Sequence, residues 1–381
     1  MTLINDLKLL ETATQNSNVY ERYNLLENPF PTYGETRTDV CTDQTTIKQE
    51  FVNTLRNFEA GAKRMRINGE SGAGKTNILR YFEFLTEEAR RRRLINGIYA
   101  VYISAPDDNY LTIHEQIVEQ LLEYFLGDTI TALETKPDLI DTLSNEIKSA
   151  SEILMALQPI INPQMLFDVF RERRIDAFGR WLKGRKLSTQ DKRDLGGIAD
   201  ISSASLAIRF LDGLLQVLKK IDLCQGIVLL FDEFEEIFES LTRSRHSRYA
   251  QDLRHLFDTL QESVFFVIAT VAEPQDLAQY PAIIRRLGEP LSLQPIDNAD
   301  MAIDYVKDYL YVGRKLYFDT KAEQPKQDVL ENLEPFSIEI ISKEYEKLKI
   351  EAERAGLNVL PGYFLPRIRQ LMQSIAEDSL G

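Results

Sequence analysis

Apolar residues in this chain fall into two rhythms. Short runs bounded by glycine, proline or acidic residues read as strands buried on both faces of a parallel sheet. Five such strands are expected, at 63–69, 98–104 ("IYAVYIS"), 226–232, 263–270 and 290–296. Between and beyond them the spacing is helical, as in Ile78, Leu79, Phe82 and Leu85, in Ile113, Ile117, Leu121 and Phe125, and in Ile303, Val306 and Leu310. Strands alternating with helices predict a three-layer α/β fold with a parallel sheet and a ligand at the strand C-termini. About 120 residues separate the second strand from the third, several times what a crossover requires. A helical insertion over about 110–222 accounts for the excess.

The polar ends of these strands carry the chemistry. After the first strand the chain reads Gly69-Glu70-Ser71-Gly72-Ala73-Gly74-Lys75-Thr76, which fits G-x-x-x-x-G-K-[ST] at every fixed position and sits between a strand and a helix. The glycines let successive N–H groups turn inward on a polyphosphate, and the helix adds its positive end. Lys75 would reach the β- and γ-phosphates and Thr76 would ligate Mg²⁺. The run Ile227–Phe231 ends at Asp232, placed for the Mg²⁺ shell, with Glu233 beside it as candidate general base. Glu235, Glu236 and Glu239 read as solvated helix charges. The run Val264–Ala269 ends at Thr270, which could hydrogen-bond the attacking water or the γ-phosphate.

Composition narrows the class. With 381 residues, 44% hydrophobic and 27% charged, the chain can bury a sizeable core. A formal charge of −14 excludes a protein that coats nucleic acid or anionic membrane with its whole surface, while leaving room for local basic patches. Cys41 and Cys224 are far apart and read as ordinary thiols. No apolar run reaches about 18 residues, and the first residues are polar and acidic where a secretory signal would be cationic and then apolar. The expectation is a cytoplasmic protein with no membrane partner.

From about Asn28 to the C-terminus the residues resemble the AAA+ superfamily of ATPases. The resemblance makes Gly69 to Thr76 the Walker A motif, "VLLFDE" Walker B and Thr270 the sensor 1 position, and it implies ATP and Mg²⁺ as cofactors. "YPAIIRRLGEPLSLQPID" resembles the helix before the last strand, where the family carries an arginine finger, with Arg285 and Arg286 as candidates. "GYFLPRIRQLM" stands at the sensor 2 position with Arg367 as the nucleotide-facing residue and Arg369 as its competitor. "NLLENPFPTYGE" is similar to the leading segment of initiator-like and transposition-type relatives, which would put Asn28 and Pro29 at the base pocket. The implied division is an N-terminal extension at 1–27, an AAA+ α/β domain at 28–296 and a helical lid at 297–381. "GRWLKGRKLSTQDKRDLGG", followed by a helix leading into an Asp-Glu Walker B, is similar to the ATP-binding proteins of BREX-type phage-defence systems. In that stretch Trp181 and Leu182 are expected to anchor packing, with the basic residues on the solvated side.

Two further basic clusters remain. Arg90 to Arg93 read as a cationic helix end complementing the macrodipole. Arg243, Arg245, His246, Arg248, Arg254 and His255 follow Walker B, and Arg243, Arg245 and Arg248 are candidates for contact with duplex DNA or with a neighbouring subunit. No base-reading module is visible. The reading is an ATP-hydrolysing protein that forms homo-oligomers through a trans arginine finger and acts on DNA or an effector protein in a prokaryotic defence or DNA-transaction system. A slow nucleotide switch that scaffolds a separate effector, and a transposition-type regulator of target DNA, stay open as alternatives.

Overall fold

The computed structural model describes residues 19–58, 63–104, 109–121, 175–194, 200–220, 224–236, 243–271 and 279–378. Contacts divide the chain into two units, one of Thr46–Glu70 with Phe82–Ser292, the other of Met1–Thr45, Ser71–Tyr81 and Leu293–Gly381.

The larger unit holds a five-stranded sheet of β1 (Lys63–Asn68), β2 (Ile98–Ile103), β3 (Gly226–Phe231), β4 (Val264–Thr270) and β5 (Pro290–Ser292). Its order is β2-β3-β4-β1-β5, and the four neighbouring pairs are all parallel. The chain goes from β1 to the far edge at β2, then steps back through β3 and β4 to β5. Crossovers between parallel strands are right-handed, so this reversal puts the helix after β1 on one face and the later helices on the other.

Neighbouring phenylalanines on β4 show both faces. Phe265 stacks on Phe51 of α1 (Thr45–Arg56), with centroids 5.5 Å apart, and Phe51 stacks on Phe82 of α2 (Lys75–Arg91) at 3.8 Å. Phe266 points the other way and meets the edge of Phe257 at 4.9 Å. Phe257 lies on α6 (Arg243–Thr259). The second face also carries a helical run at residues 110–121, α3 (Ile175–Leu182), α4 (Thr189–Asp194), α5 (Ala204–Lys220) and α7 (Pro281–Leu287). Side chains of that run and of α3, α5, α6 and α7 share one core with β2, β3 and β4. The predicted helical segments "NEIKSASEILMALQPII" and most of "MLFDVFRERRIDAFGRWL" lie outside the described residues.

The other unit joins the N-terminal segment to α8 (Ala299–Lys321), α9 (Gln327–Glu331), α10 (Ile338–Ala355) and α11 (Pro361–Asp378). Phe30 is its wedge, stacked on Tyr309 at 5.8 Å and edge-on to Phe336 at 6.0 Å. Buried Arg314 answers the cost of a buried cation by donating to the carbonyls of Tyr23 (3.2 Å), Leu330 (3.3 Å) and Glu334 (2.6 Å).

The fifth strand is shorter than the expected 290–296. Beyond Ser292 the backbone leaves the sheet: Gln294 exchanges hydrogen bonds of 3.1 Å in both directions with the Gln44 side chain, and the Ile296 N–H donates to the Val359 carbonyl at 2.8 Å.

Candidate nucleotide site

Open α/β sheets bind ligands outside the strand C-termini where the crossovers diverge. Here that point lies between β1 and β4, whose outgoing connections run to opposite faces. The Gly69 N–H donates to the Thr270 carbonyl there at 3.3 Å, so the phosphate-binding loop starts beside the sensor 1 position. Gly72 (φ 86°) and Gly74 (φ 95°) are left-handed, which is why the fixed glycine at 74 is needed and why glycine also suits the variable position 72. A Cβ on Gly74 would meet nothing within 4 Å, so its side of the loop is open. The Ile78 N–H bonds back to the Gly74 carbonyl at 2.9 Å, so the first helical turn starts at the loop, and a helix N-terminus is where an anion is favoured.

Asn77, unremarked in the sequence, is engaged on both sides. Its Oδ1 accepts from the Arg37 N–H at 3.2 Å and its Nδ2 donates to the Val40 carbonyl at 2.7 Å, which laces the N-terminal segment to the turn that follows Lys75 and Thr76. The Gly362 N–H donates to the Gly72 carbonyl at 3.0 Å, bringing the start of α11 onto the loop.

At the end of β3, Asp232 is only 3% exposed. Its N–H donates to Ile103 O at 3.0 Å, Oδ1 accepts from the Glu233 N–H at 3.0 Å, and Oδ2 accepts from the Tyr102 hydroxyl at 2.7 Å. Glu233 is exposed and left-handed at φ 49°, a conformation unusual for a side-chain-bearing residue and often found at functional sites. Glu235 corrects the sequence reading. It is buried, not solvated, and its Oε1 accepts from the Val271 N–H at 3.0 Å, while the Phe234 N–H bonds Ala269 O at 3.3 Å. These bonds stitch the loop that carries Glu233 to the end of β4. Glu236 is exposed as expected, and Glu239 lies outside the described residues. Thr270 is fully buried, with its hydroxyl 3.4 Å from Arg66 Nε. Burial lowers the Arg66 pKa, and Glu289 and Glu235 oppose that shift.

A Mg²⁺-nucleotide asks for an open anion cradle and a hard oxygen at a strand end. The left-handed glycines of the loop answer the first part of that request and Asp232, at the end of β3, the second, each within its own unit. No cluster of three or more His, Cys, Asp or Glu residues suited to a metal occurs among the described residues, and a Mg²⁺ held largely by phosphates and water needs none.

The remaining candidates separate. Arg286 is fixed within its own chain: Asp258 accepts from it through both carboxylate oxygens at 2.7 Å, and the Ala282 carbonyl accepts at 2.8 Å. Arg286 is thus engaged within its own chain, while Arg285 is exposed. Arg367 pairs with Glu351, and Arg369 donates to the Phe30 carbonyl. Asn28 ties two segments of its unit together. Its Nδ2 donates to Arg369 O at 3.1 Å and its Oδ1 accepts from the Phe30 N–H at 3.2 Å, while Pro29 packs near Gly313. Arg91 and Arg92 pair along α2 and beyond its end with Glu88 at 3.1 and 2.6 Å, and Arg93 is left-handed at φ 58°, so the cluster at 90–93 closes a helix.

In the tryptophan stretch four of the six basic residues meet a carboxylate. Lys183 meets Glu119 at 2.6 Å, Arg185 meets Glu115 at 2.6 Å, Lys192 meets Asp200 at 2.7 Å, and Arg180 binds Asp191. The Arg185 N–H returns to Arg180 O at 3.0 Å and the Gly184 N–H to Trp181 O at 2.9 Å, with Gly184 at φ 72°. This is a Schellman helix end, and it explains the glycine that follows Trp-Leu-Lys. Trp181 is fully buried, edge-to-face with Phe210 at 5.0 Å. The side chains of Arg243, Arg245 and His246 are not described. Exposed Arg248 lines a cleft of about 420 Å³ with Ser202, Ser203, Tyr249 and Asp252, and exposed Arg254 lines another of about 540 Å³ with His255 and Tyr280. The Cys224 thiol is buried and its pKa is pushed up to about 12. No helix among the described residues is long and apolar enough to cross a membrane.

Parallel strands in this order, with helices on both faces and left-handed glycines in the loop after β1, make the parallel α/β fold that the resemblance to AAA+ ATPases implied. Residues 168–298 match the family described as BREX system ATP-binding protein BrxC/D. That match runs from the insertion through β5 and leaves out Gly69–Thr76, so the loop and the family resemblance are separate observations. Among solved structures the chain is similar to the Aeropyrum pernix ORC2 protein in ADPNP–ADP complexes, at 12% identity and a TM-score of 0.41, covering 86% of this chain and 66% of that one. The ADP form of the same protein aligns at 13% identity and a TM-score of 0.39, covering 92% and 72%. Both scores lie below 0.5, so strand order and loop geometry carry the fold. No curated protein matches the chain.

Proposed function

We propose that the chain is a Mg²⁺-dependent ATPase that assembles with copies of itself and works in a BREX-type phage-defence system, on DNA or on an effector protein. The observation that carries this reading is the left-handed glycine loop that opens at the divergence of the crossovers. Lys75 and the loop N–H groups take the phosphates, Thr76 and Asp232 the Mg²⁺, and Thr270 the water or γ-phosphate. Bound Mg²⁺ neutralises charge on the phosphates. Glu233 orients and deprotonates the water. Arg285 is the finger offered to a neighbouring copy, and Arg367 turns to the nucleotide on release from Glu351. Contact with duplex DNA falls to the N-terminal half of α6, through Arg243, Arg245 and Arg248.

ATP turnover across a protein concentration series, with and without duplex DNA, tests the reading. Lys75→Ala abolishes nucleotide binding. Glu233→Gln keeps binding and lowers turnover by orders of magnitude, whereas wild-type turnover in that variant removes Glu233 as base. Turnover rises with protein concentration if Arg285 acts in trans, and Arg285→Ala removes the rise while Arg286→Ala leaves much of it. Turnover indifferent to DNA and to concentration sinks assembly and DNA action together.

A further inference from the structure

The Tyr102–Asp232 hydrogen bond is the strongest feature that the proposed chemistry leaves unexplained. Tyr102 lies on β2, the edge strand, and its hydroxyl donates to Asp232 Oδ2 across the ends of β2 and β3 at 2.7 Å. Both residues are buried, and a charge-assisted bond of this length inside a protein holds a carboxylate in one orientation.

The backbone of Tyr102 is fixed as well. Beside the sheet edge its N–H and C=O are both met by the Gln120 side chain. Gln120 Oε1 accepts from the Tyr102 N–H at 3.0 Å, and Gln120 Nε2 donates to the Tyr102 carbonyl at 2.7 Å. A single amide thus imitates a neighbouring strand at the one residue whose hydroxyl grips Asp232.

Gln120 belongs to the helical run at 110–121 that also holds the tryptophan stretch. Glu115 and Glu119 pair with Arg185 and Lys183, and His114 Nε2 lies 2.8 Å from the Leu182 carbonyl. Contacts therefore run without a break from the insertion through Gln120 and Tyr102 to Asp232.

We infer that Tyr102, gripped by Gln120, is the positioning residue for Asp232 as a Mg²⁺-shell ligand, and that the helical run at 110–121 ties this ligand to the tryptophan stretch. The inference rests on the reading of Asp232 given above. Tyr102 touches neither nucleotide nor metal. Its hydroxyl would fix the orientation of the carboxylate that would hold the cation, the role that outer-shell partners play at metal sites.

The test is a Mg²⁺ titration of nucleotide binding in the full chain, with a fluorescent ATP analogue as probe, and a parallel measurement in EDTA. Tyr102→Phe keeps the ring and removes the hydroxyl. It is expected to raise the Mg²⁺ concentration at half-saturation about 10-fold, with affinity in EDTA unchanged. Gln120→Met is expected to move it in the same direction by less, and the double variant is expected to be no worse than Tyr102→Phe, since both act through one bond. Thermal melts identify any variant that has failed to fold, and Gln120→Met then decides alone. A wild-type Mg²⁺ midpoint in Tyr102→Phe, or additive effects in the double variant, overturns the inference. Asp232→Asn separates the two levels: if it leaves the Mg²⁺ response intact, the Mg²⁺-shell reading itself fails, whereas if it abolishes the response while Tyr102→Phe does nothing, only the positioning role falls.

Discussion

Residues 180–192 and 243–254 both gather arginines and lysines in a chain of formal charge −14, and the structure treats them differently. In the first stretch Arg180, Lys183, Arg185 and Lys192 each meet a carboxylate, two of them on the helical run at 110–121, some 65–70 residues earlier in the chain. In the second, Arg248 and Arg254 are exposed along clefts on α6. Density of like charge along a sequence therefore says little about the field it produces. The location of the acids decides it, and that is a property of the fold.

The forces holding the two stretches differ as much as their charges. Exposed ion pairs contribute roughly 0.2–1 kcal/mol each, while truncating a buried tryptophan costs about 3–5 kcal/mol. The first stretch is accordingly anchored by Trp181 and only oriented by its pairs. Trp181→Ala should lower unfolding stability by about 3–5 kcal/mol in urea, against about 0.5 kcal/mol or less for Arg248→Ala. A loss below about 1 kcal/mol for Trp181→Ala would make the pairs the anchor instead.

A second break runs through pH. Burial lowers the His114 pKa to about 4, opposed by its hydrogen bond with Leu182. The native state keeps this imidazole neutral while the unfolded chain protonates it near 6.5, so stability is full above that value and falls as pH drops toward 4. The loss is on the order of 3 kcal/mol. Urea midpoints of wild type and His114→Gln, compared from pH 7.5 to about 4.5, should diverge at the acid end. Parallel curves would show that His114 is charged or accessible.

The third prediction belongs to the other stretch. If α6 meets DNA, Arg248→Ala with Arg254→Ala should flatten the slope of log affinity against log salt by about two and weaken binding about tenfold at moderate salt, equally for all sequences. Fluorescence anisotropy over a salt series reads both. An unchanged slope assigns these clefts to protein contact.

Much of this could be read from the residues. β3 was legible because Ile227–Phe231 is buried on both faces and needs no alternation, and the loop at 69–76 because it fills every fixed position of its motif, with Gly74 at positive φ. The Trp-Leu-Lys-Gly helix end was visible as a glycine but not as a motif with partners. Tyr102, Gln120, Asn77 and Glu235 were not legible: each acts through a hydrogen bond to a residue 18 to 130 positions away, or to backbone, and neither composition nor period records such a bond. Glu235 misled for the same reason, since an acidic residue after a strand looks solvated until its backbone partner is known. Arg285 and Arg286 are indistinguishable in sequence, and only the fold shows that Asp258, 28 residues before Arg286, engages the second of them.

The smallest expected effect is the most pointed one. Lys183→Ala with Arg185→Ala removes two cations that pair with Glu119 and Glu115. Were they a solvated DNA-facing patch, the variant would lose a salt-dependent share of DNA affinity as the α6 variants do. Because the cations are neutralised within the fold, the DNA salt slope should not move, and stability should fall by no more than about 1 kcal/mol per pair. Glu119 responds in a way a loose surface pair would not: the hydrogen bond from Lys183 holds its pKa below the ordinary glutamate value, so removing Lys183 lets that carboxylate titrate at higher pH. NMR titration of the Glu119 side chain measures this directly. A titration unmoved by Lys183→Ala would mean that the pair does not persist in solution and would return the tryptophan stretch to the class of α6.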